Sequence, residues 1–450
     1  MKVVKFGGTS LANAAQIEKI YDIVTSDSER KIVVVSAPGK RDKHDTKVTD
    51  LLIAAANKYL QTKNAAKEIE AVIARYREIA VAFKLGEDVM NSISGDFLTR
   101  LESDTTNPEK YMDRMKAGGE DNAAKITAAY FASRGKEARY VNPKDAGLLV
   151  SEEFGNAQVL DRSYDALKAL KSMKGIVIFP GFFGYSPSGD VVTFPRGGSD
   201  ITGSILAKAV QADVYENFTD VDSVFAASPA LVEKPAAIDE MTYREMRELS
   251  YAGFSVFHEE ALFPAFQAGV PVNVRNTNNP SAPGTHIVMT RKSTKNPIVG
   301  IACDNGFSCV YLSKYLMNRE IGFGRRLLKI LEEEKIPFEH MPSGVDDISV
   351  IVRNKYFDAA IEKRVTEKIR TELKVDRITI ERGLSIIMIV GEGMRHTVGL
   401  TARVAGAFAS VGVNIEIINQ GSSEVSIMFG VKEKDSAKAV ASIYKEFFTK

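Results

Sequence analysis

The sequence predicts an α/β protein: a mostly parallel sheet sandwiched by helices, followed by two small βαββαβ sandwiches. Three observations predict it. Short β-branched runs such as "KIVVVS" alternate with stretches of helical spacing as far as about Arg275, the pattern of a sheet covered on both faces. Glycine-rich turns follow several of these runs directly, where the carboxyl ends of parallel strands bind ligands. The last third of the chain repeats at an offset of 77 residues, Gly322 against Gly399, Arg326 against Arg403, Glu339 against Glu416, Gly344 against Gly421 and Ser349 against Ser426.

Val3–Phe6 reads as a short buried strand, and Ile17, Ile20, Tyr21 and Val24 then recur at helical spacing. Lys31–Ser36 is a second strand. The charged stretch Gly39–Lys47 reads as a mobile, solvated loop, and a helical run begins at Thr49. Gln61 to Lys116 is helix-like with little strand character. Gly118–Gly119 precede a helix predicted over Glu120–Arg134, then a strand at Ala138–Val141. Gly175–Pro180 is another buried strand, leading into "PGFFGYSPSGD" and "RGGSD". A helix to about Val210 and a strand at Asp213–Phe218 follow. "NTNNPSAPGT" leads to a boundary near Lys295. In each repeat the order is strand, helix, strand, strand, helix, as in a ferredoxin-like sandwich. The first copy ends on a strand at Asp376–Glu381, whereas the second stops after its helix Ala437–Phe448. The spare strand Ile298–Cys303 completes the second copy in this reading, since an unpaired edge would otherwise be exposed. The expected division is 1–296, then 305–381, then 297–304 joined with 382–450.

The 450 residues suit about three domains. A 44% hydrophobic and 26% charged composition marks an ordinary soluble globular chain, and a net charge of +1 argues against a nucleic-acid surface. No apolar run approaches a membrane span, and "MKVVKFGG" is too short in apolar character for a secretion signal. Cys303 and Cys309 cannot build a disulfide framework or a zinc site and read as buried or reduced thiols, which fits a cytoplasmic location. The five histidines are scattered without metal-ligand spacing, and His258 reads as structural.

"KFGGTS" (Lys5–Ser10) is not a Walker A loop. Two glycines between a strand and a helix can turn backbone N–H groups toward an anion, with Lys5 adding a full charge. They can equally make a tight turn. "RGGSD" (Arg196–Asp200) poses the same choice between an anion grip through Arg196 and a helix cap through Ser199 or Asp200.

Taken together, "KFGGTS", "VVVSA", "GGE" at 118–120, "RGGSD" and "NFTDVDSV", in that order ahead of a duplicated sandwich, resemble the aspartate kinases, amino acid kinases with tandem C-terminal ACT domains. The resemblance implies that Lys5, Gly7 and Gly8 hold the transferring phosphate, with Thr9 and Ser10 in the same loop, and that Asp200 orients Lys5. Arg196 would grip the substrate α-carboxylate and Glu120 its ammonium group, with Ser36, Thr49, Gly198 and Ser199 lining the pocket. Thr219, Asp220, Phe225 and Ser255 would lie at the nucleotide. The implied substrates are L-aspartate and ATP with Mg²⁺ carried by the nucleotide rather than by a protein metal site. The implied effector is lysine or threonine, with contact points at Met317, Gly322, Phe323, Gly324, Glu339, Ser343 and Asp346. The implied assembly is a homodimer through the ACT domains, extending in some cases to a tetramer.

An aspartate side chain, with an ordinary pKa of ~3.9, is already an ionised nucleophile at neutral pH, so no general base is required. The chain departs from the family where a tyrosine, an arginine and a lysine are expected, carrying Phe225, Ala230 and Ser255. Lys40, Arg41, Lys43 and Lys47 are the nearby cations that could compensate. Two alternatives remain open at this stage: a catalytically weak amino-acid sensor, and a kinase for another acidic amino acid such as glutamate.

Overall fold

The computed structural model describes residues 1–254, 260–291, 296–421 and 425–449. Ser255 and His258 therefore lie outside the described residues. The chain forms two compact units, one of Met1–Val224, Ala237–Arg247 and Ser255–Arg291, the other of Phe225–Ala236, Glu248–Phe254 and Lys292–Lys450. Two short segments inside the span 1–296 thus join the second unit. There Ala227 bridges Ile301, Ala227 and Val232 enter that unit's core, and Ser426 donates to Glu248.

The first unit is built on β1 (Lys2–Phe6), β2 (Arg30–Val35), β3 (Ala138–Tyr140), β4 (Ile176–Pro180), the hairpin β5 (Phe183–Tyr185) and β6 (Val191–Thr193), β7 (Val214–Thr219), β8 (Glu240–Thr242), β9 (Val272–Asn276) and β10 (Thr285–Val288). Eight of these strands form one sheet in the order β3-β4-β2-β1-β7-β9-β10-β8. Every pairing is parallel except β9 with β10. The central strands are buried on both faces, which is why they read as unbroken β-branched runs rather than as alternating ones. Val4, Phe6, Val33, Val35 and Phe218 join a core shared with the helices Ala14–Thr25, Val48–Thr62, Ala66–Ala82, Glu87–Leu101 and Pro108–Ser133. Lys5 alternates with Val4 and Phe6 and so points to the opposite face, toward the helix Gly198–Val210.

One correction concerns Glu120. It does not begin a helix but lies in the middle of Pro108–Ser133, with Gly118 and Gly119 inside the same helix. The glycines serve close packing: a Cβ on Gly119 would sit 2.8 Å from the Ala37 Cβ, and one on Gly118 would sit 3.0 Å from Arg100 Cδ. Packing overrides the local cost of glycine, about 1 kcal/mol per residue.

Glu216 on β7 is buried and receives both arms of Arg30 (2.6 and 3.1 Å) and Nη1 of Arg275 (2.7 Å). Burial alone would raise the Glu216 pKa; the two guanidiniums outweigh it and hold the carboxyl below its ordinary value. Truncating it would leave two partly or fully buried cations uncompensated. Glu216→Ala is therefore expected to destabilise the first unit by about 3–5 kcal/mol, read as a lower urea midpoint. An unchanged midpoint would show that water takes over the carboxylate's role.

The second unit carries one six-stranded sheet from β11 (Gly300–Ser313), β12 (Phe338–His340), β13 (Asp347–Arg353), β14 (Arg377–Val390), β15 (Ile417–Gln420) and β16 (Ser426–Lys432), ordered β12-β13-β11-β14-β16-β15. The strands read as separate at Ile298–Cys303 and Asp376–Glu381 are parts of the long β11 and β14. Gly300–Asn305 pairs with Ser385–Val390, while Phe307–Ser313 lies between β13 and Arg377–Leu384. The two strands pass through Gly306 (φ +87°) and Gly383 (φ +70°), where the register slips. There Phe307, Cys309 and Ile351 pack against Leu384, Ile386 and Met428. Helices Phe323–Glu333 and Ala359–Lys368 cover the first half, Leu400–Ser410 and Ser436–Phe448 the second. Among the described residues no helix is long and apolar enough to cross a membrane.

Candidate active site

β1 is the strand at which the sheet order reverses, with β2 and β4 on one side and β7 and β9 on the other. In open parallel sheets the crevice at the carboxyl ends of such strands is where ligands bind. The buried Lys5 projects there, its Nζ 2.6 Å from Oδ1 of Asp200 in the first turn of Gly198–Val210. Asn217, level with Lys5 on the adjoining β7, donates its Nδ2 to the same oxygen at 2.7 Å. The Tyr215 hydroxyl donates to the Asp200 carbonyl (3.2 Å) and accepts from Asn217 (3.0 Å). Full burial holds the Tyr215 phenol well above its ordinary pKa, so it remains a neutral donor. Sequence reasoning missed Asn217 and Tyr215. Their position on β7 in phase with Lys5 was the available signal.

Glycine turns from three strand ends close around this pair. Gly7 donates its N–H to the Phe218 carbonyl at 3.1 Å, and the next peptide packs against the turn after β2, where Gly39 donates to the Gly8 carbonyl at 2.8 Å. A Cβ on Gly39 would lie 2.6 Å from the Gly8 carbonyl carbon, so both turns need glycine to approach so closely. Gly197 is left-handed (φ +78°) and caps the helix that carries Asp200. Gly181, just beyond β4, leaves only enough room for Ser199: a Cβ there would meet the serine Oγ at 2.7 Å.

Other predicted residues are distributed unevenly. Ser36 is half-buried and its N–H donates to the Phe6 carbonyl, so it borders the same turn. Thr49 is half-buried in the first turn of Val48–Thr62. Thr9 is exposed, whereas Ser10 is buried with its hydroxyl engaged by Thr277 at 2.7 Å. Arg196 is exposed and, among the described residues, forms no ion pair. Thr219 ends β7, and its hydroxyl donates to the exposed Asp220 carboxylate (3.2 Å). Phe225 falls in the second unit.

Glu120 is 5% exposed, and its Oε2 is buried without a hydrogen-bond partner. Burial pushes its carboxyl up to about 8, against smaller opposing effects from the Ala37 backbone N–H and the charge of Lys116. A desolvated carboxyl with an idle oxygen, in the middle of the helix Pro108–Ser133, is costly unless a cation arrives.

In the second unit the predicted effector residues separate. Gly322 (φ +79°) caps Phe323–Glu333, and Asp346 Oδ1 accepts the Leu316 N–H at 2.9 Å, so these two loops adjoin. Gly324 lies over Met341, and Ser343 bridges Ile348. Met317 and Phe323 are core residues of the first half, packed with Leu327 and Val350, because their side chains turn inward from these loops. Glu339 sits elsewhere, on β12, bound to Arg353 (2.6 Å) and to Tyr251.

A model of the amino acid kinase family matches residues 1–276, and an ACT-domain model matches residues 387–447. Aspartokinase 3 of Bacillus subtilis (strain 168) is 60% identical over 448 residues, covering 100% of this chain and 99% of that protein. The chloroplastic aspartokinase 1 of Arabidopsis thaliana is 28% identical, covering 99% of this chain and 80% of that one. The crystal structure of Clostridium acetobutylicum aspartate kinase superposes with a TM-score of 0.90 at 36% identity, over 99% of this chain and 100% of that chain. That of E. coli aspartokinase III with aspartate and ADP shares the fold at a TM-score of 0.80 and 22% identity, over 100% of both chains. The chain belongs to the amino acid kinase family and, within it, to the aspartokinases.

Proposed function

We propose that the chain transfers the γ-phosphoryl group of ATP to the side-chain carboxylate of L-aspartate, giving 4-phospho-L-aspartate and ADP. The observation that carries this reading is the buried Lys5–Asp200 pair among glycine turns at the switch point of a parallel sheet. A carboxylate oxygen forms the new bond to the γ-phosphorus, and the bond to the β–γ bridging oxygen breaks with its electron pair leaving on ADP. Two anions must meet, so stabilisation comes from charge and oriented amides, not from a base. Lys5 meets the phosphate oxygens, the Gly7–Gly8 turn presents the Gly8 N–H, and Asp200 with Asn217 holds the ammonium in place. Mg²⁺ arrives with the nucleotide and neutralises charge on its phosphates. Exposed and unpaired, Arg196 is available to the α-carboxylate, and Glu120 to the ammonium group. Thr219 and Asp220 border the nucleotide.

The same reading makes 1–296 catalytic and the folded sheet regulatory, with 305–381 as one ACT domain and 297–304 joined to 382–450 as the other. Support comes from β11, whose halves pair in different modules. Lysine or threonine would act at the loops holding Gly322, Gly324, Ser343 and Asp346. The enzyme would work as a cytoplasmic homodimer on the path to lysine, threonine and methionine.

Trapping the acyl phosphate with hydroxylamine tests the reaction. With Mg-ATP and a panel of amino acids, aspartate is expected to give hydroxamate, and added lysine or threonine to suppress it. A strong signal from glutamate with none from aspartate would overturn the substrate. No signal from any acid, beside intact effector binding, would favour a sensor.

A further inference from the structure

The stretch Gly39–Lys47, expected to be mobile and solvated, is anchored by a residue that the sequence did not single out. Arg75, on the helix Ala66–Ala82, is 4% exposed. Its Nη2 donates to the carbonyls of Gly39 (2.8 Å) and Ala12 (3.3 Å), and its Nη1 to that of Thr46 (2.9 Å). Nη1 also lies 3.0 Å from Oδ2 of Asp45. Asp45 in turn takes both Nε (3.0 Å) and the backbone N–H (2.8 Å) of Arg41. Arg41, one of the cations that could have compensated at the nucleotide, is thus engaged with Asp45 and, at 2.6 Å, with Glu78.

The three carbonyls belong to segments that meet only in space. Ala12 ends the turn that begins at Gly7, and Gly39 is the residue whose N–H binds the Gly8 carbonyl. Thr46 leads into the helix that carries Thr49. One planar guanidinium, with donors in a fixed fork, therefore braces two glycine turns that the Gly39 N–H bond to the Gly8 carbonyl already brings together. Burying an arginine to collect backbone carbonyls is costly, and Asp45 alone does not call for it. We propose that Arg75 is a positioning residue for phosphoryl transfer, holding the Gly7–Gly8 turn against the Gly39 turn so that the Gly8 amide and the Lys5 ammonium face the nucleotide phosphates. This rests on the reading of Lys5–Gly8 as the phosphate cradle.

The test is steady-state kinetics of hydroxamate formation by the full chain, with ATP and aspartate varied separately. Displacing a catalytic group by about 1 Å costs on the order of 100-fold in rate. Arg75→Ala is therefore expected to lose about 100-fold in kcat/KM for ATP, with KM for aspartate within about two-fold of the parent. Ethylguanidinium at millimolar concentration should restore part of that loss. Arg75→Lys, which keeps the charge but not the fork, should fall between the two. Should Arg75→Ala fail to fold, Gly39→Ala decides, because its Cβ would push the same two turns apart without touching the guanidinium. A folded Arg75→Ala or Gly39→Ala with parental ATP kinetics overturns the proposal. So does an equal loss for both substrates that ethylguanidinium does not reverse. Lys5→Ala separates the two layers: if it too keeps parental kinetics, the cradle reading fails, and if it is inactive while Arg75→Ala is normal, only the role of Arg75 fails.

Discussion

Lys5→Ala is expected to lower kcat by about 10³-fold while leaving the fold intact. At an effective dielectric of 20, one charge pair at 4 Å is worth about 4 kcal/mol, and each 1.36 kcal/mol is a factor of ten in rate. The charge on Lys5 is placed to act where negative charge concentrates during transfer, since it stands at the end of the central strand with Asp200 at 2.6 Å and little contact with water. Asp200→Ala should be nearly as damaging for a different reason. Without the carboxylate the ammonium loses its ion pair and Asn217 loses its acceptor, while Tyr215 keeps its bond to the backbone carbonyl of residue 200. Stability should separate the two variants. Removing Lys5 leaves a carboxylate still bonded to Asn217, whereas removing Asp200 leaves a buried cation, which is the costlier defect. Circular dichroism and thermal melting would confirm that both fold. Near-parental turnover in both would place the reaction elsewhere.

The sheet and its glycine turns could be read from the sequence because their causes are local. A strand buried on both faces must be apolar at consecutive positions, and a backbone that touches another backbone must be glycine. Lys5, Gly7, Gly8, Arg196 and Asp200 stand in or directly beside such turns, and the structure brings Lys5 and Asp200 together. The residues that hold them were invisible for the opposite reason. Asn217 reaches Asp200 across 17 positions, marked only by its register with Lys5 on the neighbouring strand, and Arg75 reaches Gly39 across 36 with no turn or spacing to mark it. Gly118 and Gly119 misled in a specific way. Local rules treat a glycine pair as an interruption, yet here it is where Ala37 and Arg100 press against an unbroken helix. Gly306 and Gly383 likewise do not end the two long strands that contain them, which bend there and continue.

Glu120→Gln is expected to raise KM for aspartate by about 100-fold and, at the same time, to make the protein more stable above pH 8. Both effects follow from one buried carboxyl whose pKa is pushed from its ordinary 4.5 to about 8. The native state holds a proton that the unfolded chain releases between those values, so Glu120 costs stability progressively as pH rises from about 4.5 to 8 and costs its full amount above that. The shift corresponds to roughly 5 kcal/mol as an upper figure, at 1.36 kcal/mol per unit. Glutamine keeps the shape without the charge and should recover part of it. Binding works in the other direction. A substrate ammonium needs the ionised form, so KM for aspartate should fall as pH rises toward 8 and level off beyond it. The groups facing Glu120 are the Lys116 ammonium one turn earlier on its own helix, the buried Tyr76 hydroxyl, which donates to the Gly119 carbonyl, and the Ala37 N–H. Lys116 is held by Asp113 at 2.7 Å, so its help to the ionised form is partial, and the cation that completes the site must come with the substrate. In Glu120→Gln the pH dependence of KM should flatten, and the melting temperature should exceed the parent's at pH 8.5. A variant that keeps the parental KM profile, or that melts lower at pH 8.5, would show that this carboxyl is satisfied inside the protein and does not await a ligand.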